Sequence, residues 1–374
     1  MDILQKIQKI EEEIRETPYH KGTEHHIGLL RARLAKLREE LSFKGKGSGG
    51  GGFAIKKTGD ATLALIGSPS VGKSTLLNKL TNALSPVGDY DFTTVKVIPG
   101  MMNYNGCNIQ ILDLPGVVTG GMSGRGHSQE IISALRAIDL VLIMVDVANF
   151  DKIGKIKKEL TKAGLRLNCR PPQIIIRKGS SGGIKIVVSA QTTHPSLETI
   201  KAIAKEYRFE NGQIYIRESV EIEEIIDVFL GNRVYLPALT IVNKIDLRPN
   251  FEREASSEED LIFISAKENI GVAKLKEKIW QRLSLIRIFL CPPGNNPDFN
   301  HPLILKKDTT VAEAILKISS ELVQAGRKVV INGPSSKFKN QLVSLNHVLA
   351  DKDIITIRRK SGPAQRESSP QPDA

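Results

Sequence analysis

Residues 61–74 read ATLALIGSPSVGKS. The first seven form a short apolar run that ends at a glycine, the pattern of a parallel strand buried on both faces. Gly67 to Ser74 then match the spacing G-x-x-x-x-G-K-[ST], and a helical stretch through NKLTNAL follows. Strand, glycine-rich turn and helix, in that order, leave few folds open. The unit recurs as strand 108–114, helix 128–138, strand 139–146 and helix 151–163. This alternation predicts a mostly parallel sheet covered by helices.

The turn itself is suited to phosphate. Gly67 and Gly72 let the backbone wrap around negative oxygens, and the following helix offers unsatisfied N–H donors. Lys73 is placed to reach β and γ phosphates, and the Ser74 hydroxyl to be a ligand of Mg²⁺. Asp113 ends the strand two elements later and is the acid expected near that ion, through water; Gly116 can give its N–H to the γ phosphate. NKID at 243–246 ends another apolar strand. Asp246 offers two acceptor oxygens to the N1–H and exocyclic amine of guanine, a donor pair that adenine lacks. Asn243 can bind the ring edge or brace nearby loops, and the Lys244 stem can cover the base face. Ser265, Ala266 and Lys267 follow the apolar run LIFIS, and the Ala266 N–H could meet the guanine carbonyl. Four motifs in this order favour GTP over ATP.

Between them lies DYDFTT at 89–94, where Thr94 is the first choice and Thr93 the second for sensing the γ phosphate beside Mg²⁺. After Asp113 the run GVVTGGMSGRGHSQE is rich in glycine and reads as a segment ordered by that phosphate. Many GTPases orient the attacking water with a glutamine just after the glycine. Here that residue is Val117, which cannot polarise water. His127 could act in catalysis, though a solvated or locally bonded role is favoured, and Arg125 is read equally as solvated or as touching nucleic acid or a regulator.

The period changes over 165–235, where short strands alternate with helices near 195–207 and 221–230. Seventy residues far exceed an ordinary connection of about 2–6 residues, so this stretch should be a small α+β insert. The α/β pattern returns at 236–247 and closes with a helix at 271–285. Residues 1–45 carry apolar positions at helical spacing on both sides of TPYHKGTEHH, predicting two short helices in a hairpin. Packing on the body and binding a partner are equal readings of their mixed charge. GKGSGGGGF follows as a linker or surface loop. The division is then 46–164 with 236–286 as the main domain, 165–235 as the insert, and 287–360 as a C-terminal unit. The polar tail 361–374 reads as disordered.

The net charge is +12. A solvated surface explains it, and so does attraction to a polyanion, most simply RNA. Residues 291–360 hold 11 Lys/Arg against 6 Asp/Glu, a net of +5. No run of 18 apolar residues predicts a membrane span. Cys107, Cys169 and Cys291 match no zinc spacing and suggest a reducing, cytoplasmic setting.

With these residues in view, the chain resembles the developmentally regulated GTP-binding (DRG) proteins among the Obg-related GTPases. The resemblance runs from residue 1 to 360 and is carried by GGGGFAIKKTGDATLALIGSPSVGKSTLLNKLT, DYDFTTVKVIPG, ILDLPGVVTGG and GNRVYLPALTIVNKID. It implies a Ras-like P-loop GTPase domain with an inserted small α+β domain, an N-terminal helical segment and a C-terminal β-grasp (TGS) domain. By this resemblance Gly67, Ser68, Pro69, Ser70, Val71, Gly72, Lys73, Ser74 and Thr75 bind phosphate. Ser74, Thr94 and Asp113 serve Mg²⁺; Asn243, Lys244 and Asp246 serve guanine, with Ser265 to Lys267 beside them. Lys73, Thr94 and Gly116 act on the transferring phosphate. The implied partners are the ribosome, rRNA or tRNA and a regulatory partner protein of the DRG type, with no membrane or DNA. Val117 is a shared feature. Ser70 departs from the asparagine that many potassium-stimulated GTPases carry, so K⁺ would rest on backbone oxygens. Slow GTP hydrolysis, stimulated by K⁺, a partner or the ribosome, is the expected activity. The competing expectation is an RNA- or ribosome-binding module in which GTP mainly sets conformation.

Overall fold

The computed structural model describes residues 2–43, 58–81, 90–91, 96–114, 135–189, 195–251, 261–319 and 328–358. Two helices open it, α1 (Ile3–Glu16) and α2 (Glu24–Phe43). The central sheet is then built from β1 (Ala61–Gly67), β2 (Tyr90–Asp91), β3 (Lys96–Tyr104), β4 (Cys107–Asp113) and β5 (Leu140–Asp146), with α3 (Lys73–Leu80) between β1 and β2. Helix α4 (Lys152–Lys162) leads to β6 (Leu165–Leu167). An inserted unit follows: β7 (Ile174–Lys178), β8 (Ile184–Val188), α5 (Leu197–Glu206), β9 (Gly212–Ile216) and α6 (Ile222–Leu230). The chain returns through β10 (Val234–Leu236) to β11 (Ala238–Asn243), β12 (Leu261–Phe263) and α7 (Val272–Leu283).

The central sheet has the order β12-β11-β5-β1-β4-β3-β2. From β12 to β4 all pairs are parallel. The apolar runs explain this, because successive residues of β1 feed two cores. Leu63 and Leu65 join α3 and α7 on one face, while Ala64 and Ile66 join α4 on the other. The antiparallel edge of β3 and β2 does not follow from that alternation. Pro99 and Gly100 interrupt the pattern of β3, and β2 pairs only with Val97 and Lys96, so it makes no demand on the missing proline N–H.

In the insert, β7 and β8 flank β9, antiparallel and parallel to it respectively. Helices α5 and α6 cover one face of this sheet. The chain enters and leaves along a parallel pair, β6 with β10. At that stem the buried Asp227 of α6 accepts from Arg166 Nη2 at 2.6 Å and from Arg233 Nε at 2.9 Å.

The N-terminal hairpin settles on the insert. One side of α2 (Leu34, with Leu37 and Leu41) meets Ile3, Ile7, Ile10 and Ile14 of α1. The other side meets the insert: Ala32 joins its core, and Glu24 Oε1 accepts from Ser196 N at 2.7 Å and from the Thr199 hydroxyl at 3.1 Å. Apolar residues are therefore spread around α2, and at 20 residues it is longer than the short helix its sequence suggests.

The C-terminal unit is a five-stranded sheet, β14-β13-β17-β15-β16, from β13 (Leu285–Leu290), β14 (Leu303–Lys306), β15 (Lys328–Asn332), β16 (Gln341–Val343) and β17 (Asp353–Arg358). Helix α8 (Val311–Ile318) packs on it. Strand β13 starts two residues after α7 ends, and Leu285 and Ile304 bury into the main core, so the two units share a boundary without a linker. Arg287 lies over the Trp280 ring at 5.6 Å and holds Asp351 with Nη2–Oδ2 at 2.7 Å. Among the described residues, no helix is long and apolar enough to cross a membrane.

Burial pushes the Asp351 carboxyl up, but the hydrogen bonds and charge of Arg287 outweigh it and hold the group below its ordinary value. A depressed carboxyl stabilises the fold above its unfolded value of about 4 and loses that contribution as pH falls through the folded value. Asp351→Asn should therefore lower the urea midpoint at pH 6 and converge with the parent chain as pH falls through the folded value of Asp351. Equal midpoints at pH 6 would discount the pair.

Candidate functional site

Parallel pairing brings the carboxyl ends of four strands to one edge. Leu65 is in register with Asp113, Gly67 with Met144, and Asn243 with Asp146. Such an edge, where chains leave strands for helices, is where open α/β sheets form ligand crevices.

The glycine-rich turn occupies the centre. A Cβ on Gly67 would lie 2.3 Å from the Met144 carbonyl oxygen, so no side chain fits there. Gly72 has φ +99°, and a Cβ there would lie 2.5 Å from Asn243 Nδ2. Both glycines of the motif are thus required by close approach, the second also by its left-handed backbone. Val71 is buried and anchors the loop, while Ser68 is half-buried and Pro69 and Ser70 are exposed. Ser70 has φ +62°, uncommon for a non-glycine residue. Helix α3 begins at Lys73 with Ser74 and Thr75 exposed on its first turn. The Lys73 ammonium donates to the carbonyls of Gly67 and Ser68, each at 3.0 Å, and so is held inside the loop's concave side.

Among the described residues, two buried side-chain oxygens lack a hydrogen-bond partner: Asp113 Oδ1 and Asp246 Oδ1. They are the two acids singled out from the sequence, one for the ion and one for the base. Burial pushes the Asp113 carboxyl up, and the Lys73 charge pulls it partly back. A desolvated carboxylate beside one cation is poised for a second, so the donor set of Asp113 and the Ser74 hydroxyl fits a hard, oxygen-seeking ion. Asp246 sits in a single 3₁₀ turn, Ile245–Leu247, just past β11. Its free oxygen can accept from a ligand N–H.

Asn243 is a brace. Its Nδ2 donates to the Val71 carbonyl at 2.8 Å, and its Oδ1 accepts from Ala266 N at 2.9 Å. The Ala266 N–H, expected to meet a base carbonyl, is engaged by Asn243 in this structure. Ser265 is fully buried and its Oγ accepts from Glu268 N, closing a turn that contains the exposed Lys267. Lys244 has φ +64°, and its ammonium donates to the Ser70 carbonyl and to Asp146 Oδ2, both at 2.8 Å.

Sequence reasoning missed Asp146. Burial raises its carboxyl, but hydrogen bonds from Lys244 and Asn149 outweigh that and hold it below its ordinary value. It fixes Lys244 across the loop. The signal was present: an acid at the end of the apolar run LVLIMVD, level with Asn243 on the next strand. Thr93, Thr94, Gly116, Val117, Arg125 and His127 lie outside the described residues, as do most of the expected helix 128–138, the glycine-rich run and the tail.

Residues 62–178 match the family described as 50S ribosome-binding GTPase, 181–285 match the C-terminal region of that domain, and 286–358 match the TGS domain. A GTP-binding protein of Methanocaldococcus jannaschii is 46% identical over 363 residues, covering 96% of this chain and 93% of its own. The developmentally-regulated GTP-binding protein 1 of Xenopus laevis is 40% identical over 372 residues, covering 96% and 99%. The ribosome-interacting GTPase 1 of Saccharomyces cerevisiae is 39% identical over 365 residues, again covering 96% and 99%.

Proposed function

The chain belongs to the family of developmentally regulated GTP-binding proteins, and on that premise we propose that it hydrolyses GTP to GDP and phosphate as a translation- or ribosome-associated switch. The two unpartnered buried oxygens of Asp113 and Asp246, at and just past the ends of strands on either side of β1, carry this reading. Asp246 accepts from the N1–H and exocyclic amine of guanine, and the Lys244 stem lies along the base. Gly67 to Thr75 bind the phosphates through backbone N–H groups, the Lys73 ammonium and the first turn of α3.

Ser74 and Asp113, joined by Thr94, would hold Mg²⁺, which supplies charge neutralisation at the phosphates. Lys73 and the loop amides stabilise charge on the transferring group as water attacks in line, with the Gly116 N–H on the γ phosphate. Val117 supplies no hydrogen bond to that water. Turnover by the chain alone is therefore slow, and K⁺ (held by backbone oxygens near Ser70), a partner protein or the ribosome supplies what is missing. Phosphate release should rise several-fold when Na⁺ is replaced by K⁺ or when ribosomes are added. Multiple turnovers per second in Na⁺ alone would sink the claim of a gated enzyme.

A second reading makes GTP mainly a conformational ligand of an RNA-binding protein. The C-terminal unit favours it: a groove of about 370 Å³ is lined by Lys337, Lys339 and Lys352 beside Phe338, which is exposed. Cations around an open aromatic ring suit a nucleic acid. RNA affinity that is insensitive to salt would count against this reading.

A further inference from the structure

We propose that the outward face of the inserted three-stranded sheet binds single-stranded RNA. Alternation divides the residues of β7, β8 and β9 cleanly. Ile174, Ile176, Ile184, Ile186, Ile214 and Ile216 turn inward against α5 and α6. The intervening positions turn outward and fall into register across the strands. One row is Ile175, Tyr215 and Val187; the next is Arg177, Gln213 and Lys185.

These rows have three properties that point to one kind of partner. First, apolar side chains are left open on a flat sheet: Ile175 is 38% exposed and Val187 47%. Second, the one aromatic side chain of the face lies on the central strand, with a cation on it. The Arg177 guanidinium is 5.3 Å from the centre of the Tyr215 ring, and the Tyr215 hydroxyl donates to Gln213 Oε1, which fixes the ring. Third, no carboxylate stands at the outward positions of the three strands, whereas Arg177 and Lys185 do, with Arg217 exposed just beyond β9. Of the two acids that flank β9 in sequence, Glu218 is paired with Arg170 and Glu210 lies exposed before the strand.

The Tyr215 ring is half-buried, and a protein partner would have to bring a separate acidic group to each cation, whereas a nucleic-acid strand carries a phosphate at every residue. A single strand supplies both halves: a base to lie on Tyr215 and phosphates for Arg177, Lys185 and Arg217. Duplex RNA keeps its bases stacked inside and cannot use the ring. The surface is distinct from the nucleotide site and from the C-terminal groove, and it gives the insert a role that GTP chemistry does not.

The test is a titration of the full chain, loaded with GDP, against a short fluorescein-labelled oligouridine and a duplex RNA of equal length. Tyr215→Ala should weaken oligouridine binding about tenfold, and Tyr215→Phe should restore it. Arg177→Ala and Lys185→Ala should each lower the slope of log affinity against log salt by about 0.7. Guanine-nucleotide affinity should stay unchanged in all of them, and hydrogen exchange of α5 and α6 should match the parent chain, which reports an intact insert. Three results would overturn the assignment: no oligouridine binding by the parent chain, duplex bound as tightly as single strand, or unchanged binding by Tyr215→Ala. In the last case, loss on Lys337→Ala and Lys339→Ala would place the RNA on the C-terminal groove instead.

Discussion

Asp246→Asn should weaken GTP binding about a hundredfold or more and admit xanthosine triphosphate in its place. The reason lies in the oxygen that has no partner. Asp246 Oδ1 is buried beside the phosphate loop and accepts nothing from the protein. In the proposed complex the carboxylate takes two N–H donors from guanine, and hydrogen bonds to charged groups contribute about 1.5–3 kcal/mol each. An amide turns one acceptor into a donor and sets it against the exocyclic amine. Loss of about 3 kcal/mol is a factor of roughly a hundred. Xanthine carries an oxygen where guanine has the amine, so the amide then matches it. Titration with fluorescent GTP and xanthosine triphosphate decides the matter. Equal GTP affinity in both proteins would remove Asp246 from base recognition.

Asp227→Ala should destabilise the insert by about 3–5 kcal/mol, because it strands two guanidinium groups at the stem. Asp227 is almost wholly buried, and Arg166 and Arg233 are both largely covered. Burying the charges is costly, but their attraction and three hydrogen bonds offset that cost while the set is complete. Without the carboxylate the two cations face each other. Hydrogen exchange should report faster opening of α6 and β9, while guanine-nucleotide affinity changes less than about twofold, since the ion pairs of Asp227 run to Arg166 and Arg233 and not to the phosphate loop. Unaltered exchange in α6 would mean that the pair is structurally idle.

What was legible in the sequence was what local pattern dictates. Continuous apolar runs announced β1, β4, β5 and β11, and the glycine–lysine spacing announced the loop between β1 and α3. Asp113 and Asn243 drew attention because each ends such a run, and Asp246 because it follows Asn243 by three residues. Three things were not legible. The β3–β2 edge depends on pairing with β4 across a tight turn, in a strand that a Pro-Gly pair disguises. The docking of α2 on the insert depends on contacts between residues some 170 positions apart. Asp146 becomes meaningful only when Lys244 arrives from the neighbouring strand, so its role is a property of register rather than of spacing.

The seating of the N-terminal hairpin on the insert has a consequence for synthesis. Glu24 and Ala32 emerge from the ribosome early, but the side chains they meet, Thr199 and Tyr207, follow about 175 residues later. At roughly 5–20 residues per second that interval is on the order of 10–35 s. Throughout it α1 and α2 can pair with each other, while the side of α2 that carries Glu24 and Ala32 stays uncovered. The hairpin thus reaches its final environment only after the insert, made about 175 residues later, has folded.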